Sequence, residues 1–244
     1  MSISERQKQI LSILNDRTFI TVQELSSLTF TSASSIRRDL TYLQNNGLVK
    51  RLHGGVSTVP PTSNVASFYD RTRKNVKEKR LIAQKASILL KDGQTVLLDS
   101  STTVTFLLPY IARHQNISVF TNNLTTALRA IELGIQTHCL GGHAMNGSTA
   151  LSGPETFAAL AGIKVDVLFF SSQSIDSQGE ISDATEEENY VRKIMLNSAK
   201  ATAFLCDSGK FSTRSTYTLC NLSSIDYAVF DTPYTELSTD CRQL

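Results

Sequence analysis

Apolar residues in the first 47 positions of the chain recur at the three- and four-residue spacing of short amphipathic helices. They fall into three groups, which are Ile10, Ile13 and Leu14, then Leu25 and Leu28, then Ile36, Leu40 and Leu43. Only short connections separate the groups. Short helices joined in this way predict a helix-turn-helix unit.

Polar residues mark the expected ends of these helices. Two capping-box pairs accompany the first and second groups, namely Ser4 with Gln7 and Thr21 with Glu24. The third helix is expected to begin after Thr31 or Ser32, since both residue types are good N-caps, and to stop at Gly47. Each predicted helix therefore has a start signal close to its apolar positions.

The polar face of the third helix has the composition of a DNA-recognition helix. With Ile36 and Leu40 facing inwards, hydroxyl and arginine side chains near the helix start remain available for the major groove. They are Ser32, Ser34, Ser35, Arg37, Arg38 and Thr41. Small hydroxyls allow close approach, while arginine forms paired bonds to guanine or contacts phosphates. Asp39 either orients a neighbouring guanidinium or forms an ordinary surface ion pair.

The segment LVKRLHGGVST, residues 48–58, follows the third helix and predicts two short strands around a glycine pair. In a winged helix this hairpin places basic side chains beside the DNA backbone or minor groove. The candidates are Lys50, Arg51 and His53. A plain hairpin with solvated charges is the alternative for this segment taken by itself.

From residue 94 onward, apolar runs typical of buried strands alternate with helical patterns. The strand-like runs are TVLLD, ISVFT, THCL, VDVLFF and ATAFLC. Such alternation predicts a largely parallel sheet with helices packed on it, which is a doubly wound α/β domain. Ligands of these folds bind at the carboxyl ends of the strands, near helix N-termini.

Polar or glycine residues follow each of these predicted strands. They are Asp99, Ser100, Ser101, Thr102 and Thr103, then Thr121, Asn122 and Asn123, then Gly141 and Gly142, then Ser171, and finally Asp207 and Lys210. Hydroxyls and backbone amides at a helix start cradle a phosphate, and a lysine supplies the counter-charge. A single cluster is equally well explained as a helix cap, but five at one sheet edge predict a phosphate-binding pocket.

Length, composition and charge add a domain organisation to this picture. The 244 residues favour two domains of unequal size, and 41% hydrophobic residues are enough for a core. Residues 1–80 contain 13 Lys and Arg against 6 Asp and Glu, whereas residues 81–244 contain 11 against 16. A basic front and an acidic back indicate a polyanionic partner for the front. We predict domains at 1–57 and 76–235, joined by a linker at 58–75.

Several classes of protein are disfavoured by the same numbers. The polar N-terminus and the absence of a long apolar run predict a cytoplasmic protein. The four cysteines show no metal-binding spacing, so no metal and no cofactor are expected. Cys139 and Cys206 lie in apolar runs and are predicted to be buried, inert thiols. The basic stretch at 69–80 is interpreted as a solvated helix start, with a further DNA or subunit contact as the alternative.

The N-terminal motifs resemble those of the DeoR family of bacterial transcription regulators. The matching residues are Arg6, Ile10 and Leu14, then Ser35, Ile36, Arg37, Arg38, Asp39 and Leu40, then His53, Gly54 and Gly55. The strand-end motifs of residues 99–103, 121–122, 141–142 and 207–211 resemble the sensor domain of this family. The resemblance implies a fold similar to ribose-5-phosphate isomerase and CoA-transferase-like enzymes, and a phosphorylated sugar as effector. It also implies that Arg192 supplies a cation for the phosphate.

We therefore predict a DNA-binding transcription regulator, a repressor of a sugar-utilisation operon that responds to a sugar phosphate. Its partners would be double-stranded operator DNA and further copies of the chain in a homo-oligomer, a dimer or a tetramer, because paired DNA-binding domains give specificity. One alternative is a sugar-phosphate isomerase with an appended DNA-binding domain, in which Asp99, Glu187 and Lys210 supply acid–base chemistry. The other makes the second half an oligomerisation domain. Glu187 is also a candidate effector-binding residue.

Overall fold

A computed structural model describes residues 4–15, 19–46, 48–52, 54–58, 68–145, 148–238 and 242–244 of the chain. The chain divides into two compact units, Met1–Thr62 and Ser63–Leu244. Among the described residues, no helix is long and apolar enough to cross a lipid bilayer. The N-terminal unit has one hydrophobic core and the C-terminal unit has two, among the residues that the structure describes.

The N-terminal unit combines helices with a small antiparallel sheet. Its elements are α1 (Glu5–Asn15), β1 (Phe19–Thr21), α2 (Val22–Leu28), α3 (Ala33–Asn45), β2 (Val49–Leu52) and β3 (Gly55–Thr58). In the described residues the strand order is β1–β3–β2, with both pairings antiparallel. Ile36, Leu40 and Leu43 of α3 are fully buried. The predicted helices and the hairpin after α3 are confirmed, and together they form a winged helix-turn-helix.

The helix starts are those that the sequence predicts. Ser4 and Gln7 exchange hydrogen bonds at the start of α1, and Thr21 and Glu24 form a complete capping box at α2. Ser32, rather than Thr31, is the N-cap of α3, because its side chain accepts the backbone N–H of Ser35. Helix α3 ends at Asn45, and Gly47 lies outside the described residues.

Gly55 allows the wing to pair with β1. A Cβ atom at this position would lie 2.4 Å from the carbonyl oxygen of Ile20 and 2.6 Å from the ring of Phe19. Contacts this short do not occur between real atoms of these types, so a side chain at position 55 would push the two strands apart. The absence of a side chain at Gly55 therefore lets β3 pair closely with β1.

The C-terminal unit is a mixed α/β structure. Its helices are α4 (Phe68–Arg73), α5 (Val76–Ala86), α6 (Leu108–Ile111), α7 (Leu124–Glu132), α8 (Pro154–Ala161) and α9 (Glu186–Ser198). Its strands are β4 (Thr95–Leu98), β5 (Ser118–Thr121), β6 (Gln136–Cys139), β7 (His143–Ala144), β8 (Leu151–Ser152), β9 (Val165–Phe170), β10 (Ser174–Ile175), β11 (Glu180–Asp183), β12 (Ala199–Cys206), β13 (Tyr217–Asn221), β14 (Tyr227–Phe230) and β15 (Arg242–Gln243). Short 3-10 helices span Ser87–Leu89, Val104–Leu107, Ser208–Lys210 and Leu222–Ser224.

Seven strands of the described chain form one parallel sheet in the order β15–β14–β12–β9–β4–β5–β6. Successive side chains of a strand point to opposite faces of the sheet, so neighbouring residues of one strand pack into different cores. In β4, Leu97 packs into a core with α8 and α9, while Val96 and Leu98 pack into a core with α5 and α6. Helices thus cover both faces, and the doubly wound α/β prediction is confirmed.

Some features differ from the sequence-based expectations. Strands β10, β11 and β13 form a separate antiparallel sheet, and β7 pairs with β8. The predicted linker range 58–75 contains α4, and β15 extends the sheet to residue 243, beyond the predicted domain end at 235. Cys206 is buried as predicted, but the prediction was wrong for Cys139, which is exposed. Its strand β6 is the last strand of the described sheet, so one edge has no neighbour to cover it.

Candidate functional site

The exposed face of α3 brings together the residues that the sequence assigns to DNA recognition. Arg37 and Arg38 are exposed, and within the described part of the chain their side chains have no hydrogen bond or ion pair. Thr41 is exposed and donates its hydroxyl to the carbonyl of Arg37 at 2.9 Å. The Ser32 hydroxyl lies 3.1 Å from the hydroxyls of both Ser34 and Ser35.

Asp39 has a different role from either one considered from the sequence. Its carboxylate is almost fully buried and accepts hydrogen bonds from Arg6 and from the Gln7 amide. It therefore ties α1 to α3 and is engaged away from Arg37 and Arg38. The two recognition arginines keep their donors for an external acceptor.

The wing adds two further cations to this unit. Lys50 and Arg51 of β2 are both exposed. In the described residues neither side chain forms an ion pair. His53, the third residue predicted on the wing, lies outside the described residues. The described basic side chains of α3 and β2 thus have the free donors that phosphate contacts require.

A cavity of about 320 Å³ lies in the C-terminal unit, at the carboxyl ends of β4, β9 and β12. These three strands are neighbours in the sheet, so the loops that follow them lie side by side. The cavity is lined by Arg71, Lys74, Asn75, Lys79, Ser101, Thr102, Thr103, Ser171, Ser172, Gln173, Asp183, Ala184, Glu188, Arg192, Asp207, Gly209 and Lys210.

Some of the residues predicted to bind an effector line this cavity and others do not. Those that line it are Ser101, Thr102, Thr103, Ser171, Arg192, Asp207 and Lys210. Those outside the lining are Asp99, Ser100, Thr121, Asn122, Asn123, Gly141, Gly142 and Glu187. Strands β5 and β6 end at the same sheet edge but lie one and two positions beyond β4. Adjacent strands are about 4.8 Å apart, so their loops are displaced from a cavity centred on β9.

The loops after β5 and β6 have structural roles. Asn123 accepts the backbone N–H of Thr126 as the N-cap of α7, and the Asn122 amide donates to the carbonyl of Leu151. The Thr121 hydroxyl accepts the backbone N–H of Asn123. Gly142 has a φ of +122°, and a Cβ there would lie 2.3 Å from the carbonyl oxygen of Ser152. These residues position the neighbouring elements rather than face the cavity.

The acidic start of α9 contributes a different glutamate from the one that the sequence suggested. Glu187 is exposed and lies 3.2 Å from the ring of His143, outside the cavity. Glu188 is nearly buried and lines the cavity. Asp99, Glu187 and Lys210 are therefore not assembled as an acid–base group, since Asp99 is fully buried below the lining.

Arg192 is the centre of a buried charged cluster on the floor of the cavity. Its Nε donates to Asp99 at 2.8 Å, and its Nη1 donates to Asp183 at 2.7 Å. Glu188 lies 3.9 Å from the same nitrogen. Burial acts to lower the pKa of Arg192, but the three carboxylates outweigh burial and raise the pKa above its usual value. The cluster therefore keeps the buried guanidinium charged beside the cavity.

Lys210 is positioned by the loop after β9. Its ammonium donates to the Ser171 hydroxyl at 3.0 Å and to the Ser172 carbonyl at 2.8 Å. The Asp207 carboxylate lies 3.6 Å away. The other oxygen of Asp207 accepts the Asn75 amide at 2.6 Å. The lysine therefore lies on the cavity wall, and the long contact with Asp207 is its only ion pair among the described residues.

Four residues that line the cavity come from α4, α5 and their connection, and none of them is among the effector-binding residues predicted from the sequence. Arg71, Lys74, Asn75 and Lys79 all line the cavity. All four lie in the basic stretch at 69–80, whose charges predict a solvated helix start. That interpretation holds for the exposed Lys74 but not for Lys79, which is only 4% exposed.

Two family models match the chain and together span both units. The DeoR-like helix-turn-helix domain matches residues 6–62, and the DeoR C terminal sensor domain matches residues 74–232. The chain belongs to the DeoR family. The winged unit is thus the helix-turn-helix domain of this family, and every lining residue of the cavity except Arg71 falls within the match to the sensor domain.

Similar proteins agree with a role in transcription. The HTH-type transcriptional regulator GolR of Listeria innocua is 29% identical over 228 residues, which cover 93% of this chain and 90% of that protein. The putative aga operon transcriptional repressor of Escherichia coli O157:H7 is 29% identical over 233 residues, covering 93% and 86%. The prediction of a DNA-binding transcription regulator is confirmed.

Among solved structures, ribose 5-phosphate isomerase A from Methanocaldococcus jannaschii is a distant match, with 15% identity and a TM-score of 0.43 over 57% of this chain and 55% of that one.

Proposed function

We propose that the protein represses a sugar-utilisation operon and that a phosphorylated sugar, bound in the cavity of the C-terminal unit, controls its binding to operator DNA. The observation that carries this proposal is the cavity lining, in which hydroxyls and lysines meet buried carboxylates. Cations and hydroxyls bind a phosphate, and carboxylates accept hydrogen bonds from sugar hydroxyls. The names of two relatives support a sugar operon, namely the putative aga operon transcriptional repressor and the lactose phosphotransferase system repressor of Staphylococcus aureus, which is 26% identical over 235 residues.

In this proposal Arg37, Arg38, Lys50 and Arg51 contact DNA, with the hydroxyls around Ser32 close to the groove. A small DNA-binding domain with few basic side chains gains specificity when two copies bind two half-sites. The protein is therefore proposed to act as a homo-oligomer. The effector-binding role is proposed for the residues that line the cavity, with Asp99 acting through Arg192.

The proposal makes the protein a regulator rather than an enzyme. Asp99 is fully buried and hydrogen-bonded to Arg192 and to the backbone of Ser101, so it is not free to move a proton on a ligand. Glu187 lies outside the cavity. A turnover assay on a panel of pentose and hexose phosphates tests this point, and the expected result is no conversion.

The central experiment is titration of effector candidates into a complex of the protein with DNA. Operator sequences are first selected from a random-sequence library, and the panel of sugar phosphates is then added while DNA binding is followed by fluorescence anisotropy. Lys210→Ala should keep its DNA affinity and lose the response, because a hydrogen bond to a charged group contributes about 1.5–3 kcal/mol, or roughly 10- to 100-fold in effector affinity. Lys200→Ala is the matched control, since Lys200 is 72% exposed and outside the cavity. An unchanged response in Lys210→Ala would place the effector elsewhere.

A further inference from the structure

We propose that Phe30, in the turn between α2 and α3, contacts operator DNA with its ring and adds an apolar contact to the polar contacts of α3. The partner surface is the apolar part of DNA, which is the methyl group of a thymine or a deoxyribose beside the groove. This inference rests on the proposed function, because it requires the start of α3 to enter the major groove.

Phe30 is the most exposed of the large apolar side chains in the described chain. It is 97% exposed, whereas the next of these residues, Ile88, is 65% exposed. It is not part of the hydrophobic core of the N-terminal unit. Single apolar residues on a surface are ordinary, so exposure by itself does not indicate a function. The backbone of Phe30 provides a second, independent observation.

The backbone of Phe30 has the left-handed conformation, with φ at 49°. Its N–H donates to the carbonyl of Ser27 at 3.4 Å, and the N–H of Thr31 donates to the carbonyl of Ser26 at 3.1 Å. These two bonds form a Schellman motif at the end of α2, whose left-handed position is usually a glycine and sometimes an asparagine. Any residue with a Cβ atom lowers the folding equilibrium constant there by about 5- to 30-fold.

The described residues of the N-terminal unit give the ring nothing that offsets this cost. The Ser26 hydroxyl donates to the carbonyl of Thr31, so the turn is held by polar groups and not by packing of the Phe30 ring. Strained backbone positions persist where the surrounding structure fixes them, and they cluster at functional sites. A strained residue with a ring in water therefore indicates a partner outside the chain.

The place of Phe30 in the unit favours DNA as this partner. Phe30 lies two positions before Ser32, which is the N-cap of α3. In helix-turn-helix proteins the N-terminal residues of the second helix contact base edges in the major groove. Phenylalanine is one of the residues that make apolar contacts with thymine methyl groups there. The turn thus places the ring beside the end of α3 that enters the groove.

The test compares Phe30→Asn and Phe30→Leu with the full-length wild type on the operator selected from random-sequence DNA. Asparagine suits the left-handed position but lacks the ring, so Phe30→Asn should bind about 5- to 10-fold more weakly, as expected when half of a phenyl side chain is removed from water. Phe30→Leu keeps an apolar side chain and should have an intermediate affinity. Ile88→Asn is the control, because Ile88 is an exposed apolar residue of the C-terminal unit. The salt dependence should be the same in all four proteins, since a phenyl ring neutralises no phosphate.

Substitution in the DNA distinguishes the two apolar surfaces. Each thymine of the operator is replaced in turn by uracil, which removes only the methyl group. A loss of about two- to fourfold at one thymine, seen in the wild type and absent in Phe30→Asn, would assign the ring to that methyl group. Uniform affinity across the series, together with the weaker binding of Phe30→Asn, would assign it to a deoxyribose.

Hydrogen exchange in α2 and α3 separates a DNA contact from a structural role. Phe30→Asn relieves the strained position, so these helices should exchange no faster than in the wild type. Faster exchange would overturn the proposal, as would wild-type affinity of Phe30→Asn for the operator. A changed oligomeric state with unchanged DNA affinity would also overturn it, because the ring would then contact protein. If Arg37→Ala kept its affinity as well, the proposed role of α3 in DNA recognition would fail with it, whereas weaker binding by Arg37→Ala would leave that role standing.

Discussion

Replacing Arg192 by methionine should destabilise the C-terminal unit by about 3–5 kcal/mol at pH 7.5, because removal of one partner leaves a buried charge uncompensated. The structure supports a value in the upper part of this range. Arg192 makes two short charged hydrogen bonds, at 2.8 Å to Asp99 and 2.7 Å to Asp183. Both carboxylates are almost fully buried, as is Glu188, so the loss of the guanidinium leaves their charges poorly solvated.

Urea unfolding followed by tyrosine fluorescence measures this loss. All tyrosines except Tyr42 lie in the C-terminal unit, so the signal reports mainly on that unit. Arg214→Met is the matched control, because Arg214 also pairs with two carboxylates but its side chain is 64% exposed. An exposed pair contributes less than about 1 kcal/mol.

The pH dependence provides an independent check on the cause. Burial raises the pKa of Glu188 and the Arg192 guanidinium opposes this effect, so removal of Arg192 should raise the pKa of Glu188 further. A group with a raised folded-state pKa contributes stability at low pH that is lost as the pH rises. The destabilisation by Arg192→Met should therefore be smaller at pH 5 than at pH 8. A loss no larger than that of Arg214→Met, or one independent of pH, would refute the reasoning.

Three further predictions concern other parts of the molecule. Burial raises the pKa of Glu188 above its ordinary value of 4.5, so the protonated carboxyl stabilises the fold at low pH, and this contribution is lost as the pH rises through the folded-state pKa. Glu188→Gln should remove this pH dependence of the urea midpoint, and an unchanged pH dependence would contradict a raised pKa of Glu188. Arg37→Ala should weaken binding to the selected operator by about 1–3 kcal/mol, and Arg37→Lys should restore affinity only if the contact is to phosphate; gel shifts with unaltered affinity for every DNA would exclude α3 from recognition. Gly55→Ala should destabilise the N-terminal unit by about 1–3 kcal/mol, because its Cβ would lie 2.4 Å from the carbonyl of Ile20; hydrogen exchange in β1 and β3 as slow as in the wild type would disprove this.

Local patterns predicted the elements of the fold well. Ser32 caps α3 and Leu40 is buried because capping and helical periodicity depend only on residues a few positions apart. The parallel sheet also followed from alternation of strands and helices. Its strand order did not, and strand order decides that the loop after β9 faces the cavity while the loop after β6 does not.

The site depends on details that a sequence pattern does not contain. One residue along a helix is a rotation of about 100°, which separates the outward Glu187 from the inward Glu188. Asp39 bonds to Arg6 across 33 positions, so its partner could not be inferred from neighbouring residues. Lys79 is buried and donates to the Arg71 carbonyl of α4, although the stretch around it is as basic as a solvated surface. Tertiary contacts decided each of these three cases.

The position of α4 has a practical consequence for dividing the chain. The match to the sensor-domain family begins at residue 74, which is just after α4. A fragment that starts there would lose the buried ring of Phe68 and the Arg71 carbonyl to which Lys79 donates. Its lysine would face water, and its effector affinity would not represent that of the whole protein. Chimeric regulators that exchange DNA-binding domains should therefore be joined before residue 68, so that the transplanted sensor domain keeps α4.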